Sequence, residues 1–303
     1  MTHSSRASSA SDAAPMLDTA VIAGVGLIGG SFAAALRARG LARRIIGAGR
    51  SRATLLQAQR LGLIDEILDL SEAARQADLI FLAAPVGAMG ALFEQLLPNL
   101  NPRALITDAG STKADVVVAA RQALGDRVGQ FVPGHPIAGA EASGPESARA
   151  DLYESRLVVL TPLPENTPRQ RAMLEDIWRA CGARVVNMTE QAHDRALASV
   201  SHVPHFLSSV YMHQVLACDD ADARLALAGS GFRDFTRIAA GSAEMWRDIF
   251  LANREAVLAE LALVRESLEQ AESALREQDG QALLQFLERA AVARRLWGSR
   301  SQS

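Results

Sequence analysis

Cysteine, excess positive charge and uninterrupted apolar segments are scarce in this chain, and each scarcity excludes a class of protein. The two cysteines, Cys181 and Cys218, show neither a metal-ligand spacing nor a disulfide framework, so we expect a reducing cytoplasm. The formal net charge of −3 provides no basic surface for nucleic acid. The most apolar stretch, residues 19–36, is interrupted by glycines and falls short of the ~20 apolar residues of a membrane-spanning helix, so we expect no membrane partner.

The remaining composition is that of a globular protein with room for two domains. Of the 303 residues, 49% are hydrophobic and 21% are charged, which is typical of folded chains. Residues 1–16 are rich in serine and alanine and lack an apolar core of their own. We therefore predict a disordered tail there rather than a signal peptide.

Residues 17–188 alternate short apolar runs with helical patterns. The runs TAVIAG, RIIGAG, DLIFLAAP and ALITDAG are bounded by Gly, Pro or Asp, and the segments between them carry apolar residues at helical spacing. Strands that are apolar throughout and separated by helices indicate a parallel sheet covered on both faces. We predict that VGQFVPG is a further strand and that LVVLTP and ARVVNM extend the same sheet.

Residues 189–303 contain long amphipathic helices and no convincing strand. One helix begins at TEQAHDRALASV, another runs from MWRDIF to ALREQ, and the last covers GQALLQFLERAAVARRL. Their apolar faces are broad for one small domain, which favours pairing with a second copy as a homodimer. The predicted fold class is therefore an α/β domain followed by an all-α domain.

The motif G-x-G-x-x-G follows the first predicted strand and opens the first predicted helix, which is the context of a Rossmann-like dinucleotide-binding domain. Gly24 permits the tight turn, Gly26 lets a pyrophosphate approach the backbone, and Gly29 lets the helix pack closely on the strand. Leu27 and Ile28 lie at the N-terminus of this helix, where backbone N–H groups bind phosphate. A glycine-rich turn without a ligand is the alternative interpretation.

The end of the second predicted strand favours NADP over NAD. An NAD site normally has an acidic residue there, but this chain has none before Asp65. Instead Arg50, Ser51 and Arg52 follow the strand, and two guanidinium groups beside a hydroxyl suit a 2′-phosphate. A solvated basic turn is the alternative. Pro85, at the end of the run DLIFLAAP, is expected to contact the same cofactor.

His135 follows the predicted strand QFVPG, at the edge where α/β sheets bind ligands, and it is a candidate base because its pKa lies near neutrality. Pro136 restricts the backbone at His135 to extended conformations. The segment DAGSTK is expected to face the same cleft. Its Ser111 can orient a histidine or cap the following helix, and its Lys113, the one lysine of the chain, is a candidate substrate contact.

The helical half contains two further groups of polar residues. His202 and His205 have the i, i+3 spacing of metal ligands, but no Asp or Cys completes such a site, so we predict no metal. Gly229 and Gly231 interrupt the helical pattern, which indicates that this segment forms the wall of a pocket and not a plain helix surface. The polar and aromatic residues that follow them are Arg233, Asp234, Arg237, Trp246 and Arg247.

Taken together, these motifs resemble the prephenate/arogenate (cyclohexadienyl) dehydrogenase family of tyrosine biosynthesis. GVGLIGGS, DAGSTK, GHPIAGAE, SHVPH, GFRDFTRIA and MWRDIF occur in the family's order. The resemblance implies a Rossmann-like domain over 17–188, an α-helical substrate and dimerisation domain over 189–303, and oxidative decarboxylation of a cyclohexadienol. With no ACT-type segment after Ser303 and no chorismate mutase segment before Met1, we expect the monofunctional form.

The resemblance also implies roles for individual residues. His135 would accept the proton of the ring C4 hydroxyl, Ser111 would orient His135 and the cofactor, and Arg237 would bind a substrate carboxylate. The remaining residues implied to shape the pocket are Asp234, Trp246, His205 and Glu141, with His202 an equally placed rival of His205. Prephenate and arogenate remain alternative substrates.

Two other functions fit parts of the pattern. A β-hydroxyacid dehydrogenase or imine reductase also joins a Rossmann domain to helices, but it would usually carry a catalytic lysine in the helical half, where this chain has none. An NADP-sensing regulatory protein would keep the fold without turnover. The presence of both His135 and Arg237 argues against that second alternative.

Overall fold

The structure is a computed structural model that describes residues 16–139 and 144–300. The tail predicted for residues 1–16 therefore lies, apart from Met16, outside the described residues. Within the two described ranges, no helix has both the length and the apolar character needed to cross a membrane.

A five-stranded parallel sheet with the order β3-β2-β1-β4-β5 forms the centre of the N-terminal part. The strands are β1 (Leu17–Ala23), β2 (Ala42–Ala48), β3 (Glu66–Ile67), β4 (Leu79–Leu82) and β5 (Leu105–Asp108). The helices that connect and follow them are α1 (Leu27–Ala38), α2 (Arg52–Arg60), α3 (Leu70–Ala74), α4 (Met89–Leu96) and α5 (Ala114–Leu124). The parallel sheet predicted from the alternating apolar runs is thus present.

Helices cover both faces of this sheet, and each face has its own apolar core. On one face Phe32 of α1 packs in a tilted arrangement against Phe81 of β4 and Trp178, at centroid distances of 4.4 and 4.6 Å. On the other face Phe93 of α4 packs edge-on against Phe131. All these rings are fully buried. Burying a large aromatic side chain stabilises the fold by about 2–3 kcal/mol, so these rings anchor the helices to the sheet.

A second, three-stranded sheet has the order β6-β7-β8. Its members are β6 (Gly134–Pro136), β7 (Leu157–Leu160) and β8 (Arg184–Asn187), and α6 (Pro168–Ala180) connects the last two. β6 runs antiparallel to β7, whereas β7 and β8 are parallel. The prediction that LVVLTP and ARVVNM extend the first sheet is therefore wrong, because β7 pairs with β6 and β8 pairs with β7 in a separate sheet.

The strand predicted over VGQFVPG lies further along the chain, at Gly134–Pro136. Residues Gly125–Gln130 form a 3-10 turn, and Phe131 makes a single bridge to Ile106 of the first sheet. Pro133 has no N–H to continue that ladder, and its carbonyl accepts a hydrogen bond from Thr161. Consequently His135 does not follow a strand but lies within one, paired with Val159 of β7.

The C-terminal part consists of helices joined by turns. They are α7 (Glu190–Leu197), α8 (Val203–Leu216), α9 (Ala221–Ala226), α10 (Ser230–Thr236), α11 (Ala243–Ala252), α12 (Arg254–Arg276) and α13 (Gly280–Arg300). A π-helical stretch, Ala198–His202, joins α7 to α8. The long helix predicted from MWRDIF onward is interrupted at Asn253, whose side chain donates to the carbonyl of Asp194 rather than facing solvent.

The chain divides into two compact units. The first contains the described residues up to Ala196 together with Ala240–Asn253, and the second contains Leu197–Ala239 and the chain from Arg254 onward. This division differs from the predicted change at residues 188–189, since α7 and α11 belong to the first unit. Asp194 of α7 bonds to backbone groups at the start of α5, and Ile249 of α11 is buried in the core beside α4.

Candidate active site

In the glycine-rich turn between β1 and α1, two positions have no room for any residue other than glycine. A Cβ on Gly24, which has a φ of +96°, would lie 2.3 Å from the carbonyl oxygen of Ala83. A Cβ on Gly29 would lie 2.0 Å from the carbonyl oxygen of Gly24. At Gly26, by contrast, no atom lies within 4 Å of the Cβ position, so the space beside the turn is open.

The helix that begins at this open space suits a phosphate group. Gly26 is the N-cap of α1, it supplies no side chain to the free N–H groups, and the first turn contains no acidic residue. Leu27 and Ile28 begin the helix and are partly buried. Exposed Pro85 follows β4, whose last residue pairs with the end of β1. These residues fit a dinucleotide pyrophosphate, which the helix dipole and N–H donors would hold.

The basic turn after β2 is exposed, as a 2′-phosphate site would be. Ser51 caps α2, because its hydroxyl oxygen accepts a hydrogen bond of 3.2 Å from the backbone N–H of Thr54. Among the described residues, the side chains of Arg50 and Arg52 have no ion-pair or hydrogen-bond partner. Asp65, the first acid downstream, bonds through its carboxylate to Arg37 and to the backbone N–H of Ile45.

Lys113 supports the backbone before His135 and is fully buried. Its ammonium pairs with the carboxylate of Asp108 and donates to the carbonyl of Gly134 at 2.8 Å. The same carboxylate accepts the N–H of Gly134 at 2.9 Å. A buried charge requires such pairing. The ammonium therefore faces these protein groups, which differs from the substrate contact expected of Lys113.

Ser111 lies on the turn that leaves β5, but it does not cap α5. The N-cap is Lys113, and the capping group is the carboxylate of Asp194, which accepts the N–H groups of Lys113 and Ala114 at 2.8 Å each. Within the part of the chain that the structure describes, the partly buried hydroxyl of Ser111 has no hydrogen-bond partner. The capping role considered for Ser111 is thus excluded, and its hydroxyl is available to a ligand.

His135 is joined to two buried residues of α7. Its Nδ1 lies 2.9 Å from Nε2 of His193, and Nδ1 of His193 lies 2.7 Å from Oδ1 of Asp194. His193 is completely buried and Asp194 is 5% exposed, whereas His135 is partly exposed. We call the three side chains the His135–His193–Asp194 relay.

Sequence reasoning missed His193 and Asp194. The helical spacing could have indicated their burial. It places them four and three residues before Leu197, on the face of α7 where apolar side chains are expected. Burial tends to raise the pKa of Asp194, but hydrogen bonds from His193 and from the N–H groups of Ala114 and Lys113 outweigh it and leave the pKa below its usual value. The carboxylate is therefore ionised at neutral pH.

In the second unit, His205 lies beside Arg237 and Ile238. Burial lowers the pKa of His205, a hydrogen bond with the backbone of Ile238 partly offsets this, and the charge of Arg237 lowers the pKa further. His205 is partly exposed, whereas His202 is buried in the π-helical stretch. Of His202 and His205, it is therefore His205 that lies beside Arg237.

The other predicted pocket residues fall in different places. Asp234 is exposed on α10 and Arg237 is exposed at the start of a 3-10 turn, both in the second unit. Trp246 lies on α11 in the first unit, where its ring stacks on Phe250 at a centroid distance of 5.4 Å. Glu141 lies outside the described residues. No cluster of metal-ligating side chains occurs in residues 16–139 and 144–300.

Comparison with known families matches most of the chain. Residues 32–187 match the family described as "Prephenate dehydrogenase, nucleotide-binding domain". Residues 189–289 match "Prephenate dehydrogenase, dimerization domain". Both halves of the sequence thus correspond to domains of one family.

Individual relatives agree with this match. The prephenate dehydrogenase of Bacillus subtilis is 37% identical over 80% of this chain, and the alignment covers 66% of that relative's length. The prephenate dehydrogenase of Aquifex aeolicus, solved with hydroxyphenyl propionate and NAD+, superposes with a TM-score of 0.85 at 33% identity, covering 91% of this chain and 97% of the other. The arogenate dehydrogenase of Synechocystis gives a TM-score of 0.79 at 32% identity, covering 92% and 99%. The chain therefore belongs to the prephenate dehydrogenase family of nicotinamide-dependent dehydrogenases.

Proposed function

We propose that this protein catalyses the oxidative decarboxylation of prephenate, arogenate or both in tyrosine biosynthesis, with hydride transfer to NADP. The observation that carries the proposal is the position of His135. Its imidazole is partly exposed on β6, and the residue before it is bonded to Asp108 at the carboxyl end of β5, in the same unit as the glycine-rich turn. Ligands of α/β sheets bind at that edge.

His135 is proposed as the base. A nicotinamide dinucleotide held at the glycine-rich turn would supply the acceptor for the hydride of ring C4, and Nε2 of His135 accepts the proton of the C4 hydroxyl. The C1 carboxylate then leaves as CO2, its bonding electron pair completes the aromatic ring, and the phenolic oxygen recovers a proton. Ser111 is proposed to bind the cofactor amide or His135 through its hydroxyl, which has no other hydrogen-bond partner in the described ranges.

Arg237 is proposed to bind a substrate carboxylate, assisted by His205 beside it. A low pKa keeps His205 neutral, so it adds hydrogen bonding without a second positive charge. Asp234, Trp246 and Glu141 remain proposed contacts of the same substrate. For Lys113 we propose support of the His135 backbone in place of substrate contact, because its ammonium is fully buried against Asp108 and Gly134.

For the cofactor we propose NADP over NAD. Gly24, Gly26, Leu27, Ile28, Gly29 and Pro85 would hold the dinucleotide. Arg50 and Arg52, with Ser51 between them, are exposed after β2 and lack partners among the described residues, while the carboxylate of Asp65 is bonded elsewhere. This arrangement leaves two guanidinium groups for a 2′-phosphate and no nearby carboxylate for a ribose hydroxyl.

We also propose that the protein is a homodimer in a reducing cytoplasm. The match to a dimerization domain supports pairing, and so do exposed apolar side chains on the long helices, such as Leu275 at 61% and Trp297 at 63% exposure. Sedimentation should therefore give twice the chain mass of 32.3 kDa. Both cysteines are free thiols, which supports the reducing compartment.

The decisive experiment is a matrix of rates in which prephenate and arogenate are each assayed with NADP+ and NAD+ by absorbance at 340 nm. We expect turnover of at least one substrate, faster with NADP+. Cofactor binding without turnover of either substrate would contradict the proposal and support a sensing protein. Turnover confined to β-hydroxyacids or imines would support the other alternative.

A further inference from the structure

We propose that His193 and Asp194 are positioning residues that set the tautomer of His135 and stabilise its protonated form, so that Nε2 of His135 is the atom that accepts the substrate proton. This inference rests on the proposed function for the identity of the substrate. Its structural part concerns the relay alone, and all three residues belong to the first unit.

The direction of the hydrogen bonds follows from Asp194. An ionised carboxylate can only accept, so Nδ1 of His193, 2.7 Å from Oδ1, must carry a proton. With His193 neutral, its Nε2 then holds a lone pair and can only accept. The neighbouring Nδ1 of His135, at 2.9 Å, must therefore donate. A neutral His135 with its proton on Nδ1 has the lone pair on Nε2, which is the form that a base requires.

The same relay stabilises the product of proton transfer. When Nε2 of His135 gains a proton, the resulting imidazolium donates from Nδ1 to His193, which in turn donates to a carboxylate. Charge-assisted hydrogen bonds of this kind are about twice as strong as neutral ones. Because His193 is completely buried, the interaction is little screened by solvent.

The surroundings hold the relay in one orientation. The carboxylate of Asp194 accepts two backbone N–H groups at the start of α5, and its carbonyl accepts the side-chain amide of Asn253 at 2.7 Å. Gly134, next to His135, is fixed through both its N–H and its carbonyl by Asp108 and Lys113. Both ends of the relay are thus attached to the same β5–α5 connection.

Three further ionisable groups, Asp108, Lys113 and Asp115, lie around the relay. The ion pair of Asp108 and Lys113 is fully buried beside Gly134 and sums to zero charge. Asp115, in the first turn of α5, interacts electrostatically with Asp194, and burial raises the pKa of Asp115. Asp194 is the acid that His193 contacts directly, so its removal should make His135 a weaker base.

The test combines NMR of the ¹⁵N-labelled imidazoles with kinetics. In the wild-type protein at neutral pH, without substrate or cofactor, we expect the proton of His135 on Nδ1. Asp194→Ala removes the acceptor of Nδ1 of His193, so His193 is no longer held in one tautomer and the preference of His135 for a proton on Nδ1 should be lost. His193→Phe keeps a ring but removes both hydrogen bonds, so the preference for Nδ1 should be lost.

The kinetic readouts should change in parallel. Reversing the tautomer of a catalytic histidine costs up to ~10⁴-fold in kcat in a well-studied triad, so we expect at least a ~10-fold fall in both variants with KM nearly unchanged. The acidic limb of the kcat profile should move to lower pH, because a less stabilised imidazolium has a lower pKa. His213→Phe, at an exposed position of α8, is the matched control and should match the wild type.

Each outcome is decisive for the relay. A wild-type proton on Nε2 of His135, or variants with unchanged tautomer and pH limb whatever their kcat, would overturn it. If one variant fails to fold, the wild-type spectrum and the other variant still decide. If the tautomers change as expected but the wild type turns over neither substrate, the proposed function fails while the relay stands.

Discussion

The two units of the molecule place their functional side chains in different ways. In the first unit, His135, His193 and Asp194 are joined by hydrogen bonds, and the same unit contains two large apolar cores. In the second unit, Asp234 and Arg237 are exposed. The apolar cluster of the described residues there is small, with three buried members, Ala198, Val203 and Val257.

This difference suggests that the first unit supplies the catalytic base and the second unit binds the substrate carboxylate. A base must be held in one tautomer and orientation, so it benefits from a rigid, buried environment. A residue that binds a substrate carboxylate must meet solvent before the substrate arrives, so exposure is expected of Arg237. We therefore expect substitutions in the first unit to change kcat and substitutions in the second unit to change KM.

The largest effect is expected at the base. His135→Asn should reduce kcat by at least ~10²-fold with a modest change in KM, since it removes a group that acts in the transition state. Steady-state kinetics on both substrates would measure it, with His213→Asn as the control at an exposed histidine. Near-normal turnover would remove His135 from the proposed role.

The second unit should respond through binding. Arg237→Ala removes a charge-assisted hydrogen bond worth about 1.5–3 kcal/mol, so KM should rise by ~10–10²-fold with a smaller fall in kcat. Arg224→Ala removes an exposed arginine that pairs with Asp220, and it should leave KM unchanged. An unchanged KM in Arg237→Ala would contradict the carboxylate contact and the division between the units.

A smaller effect within the first unit concerns cofactor choice. Arg50→Asp replaces a phosphate-binding group with one suited to a ribose hydroxyl, so the ratio of kcat/KM for NADP+ over NAD+ should fall by ~10-fold or more. Arg60→Asp, at the far end of α2, makes the same charge change and should not alter the ratio. An unaltered ratio in Arg50→Asp would reject the 2′-phosphate contact.

The smallest effect is on stability. Asp194→Asn leaves one backbone N–H at the start of α5 without its acceptor and should lower the free energy of unfolding by about 1 kcal/mol at neutral pH. The folded pKa of Asp194 lies below its unfolded value of 3.8. Its stabilisation is therefore present above that value and is lost as the pH falls through the folded pKa. Denaturation curves from neutral to acidic pH should converge for the two proteins, and a constant difference would contradict this.

The sequence predicted the elements whose signals are local. The glycine turn, the apolar strands and the helices around them follow from spacing and residue type, and the structure has them where the pattern indicates. Long-range pairing was not predictable in this way. The apolar run QFVPG resembles a strand, but Pro133 ends its ladder and the strand begins at Gly134.

The same limit applies to the candidate site. His135 could be predicted because Gly134 and Pro136 surround it in a recognisable motif. His193 and Asp194 belong to a helix whose sequence contains no recognisable motif. Only the fold brings His193 to His135, 58 positions away, and Asp194 to Ala114, 80 positions away. Lys113 stands out in the sequence as the one lysine, but its ion pair with Asp108 is visible only in the fold.

The most direct test of the account is an experimental structure of the protein with NADP+ and a hydroxyphenyl carboxylate bound. We predict that Nε2 of His135 lies at a hydrogen-bonding distance of about 2.6–3.2 Å from the ring hydroxyl, with the guanidinium of Arg237 on the carboxylate of the same ligand. A ligand that contacts neither side chain, or the two side chains directed into separate cavities, would contradict the account.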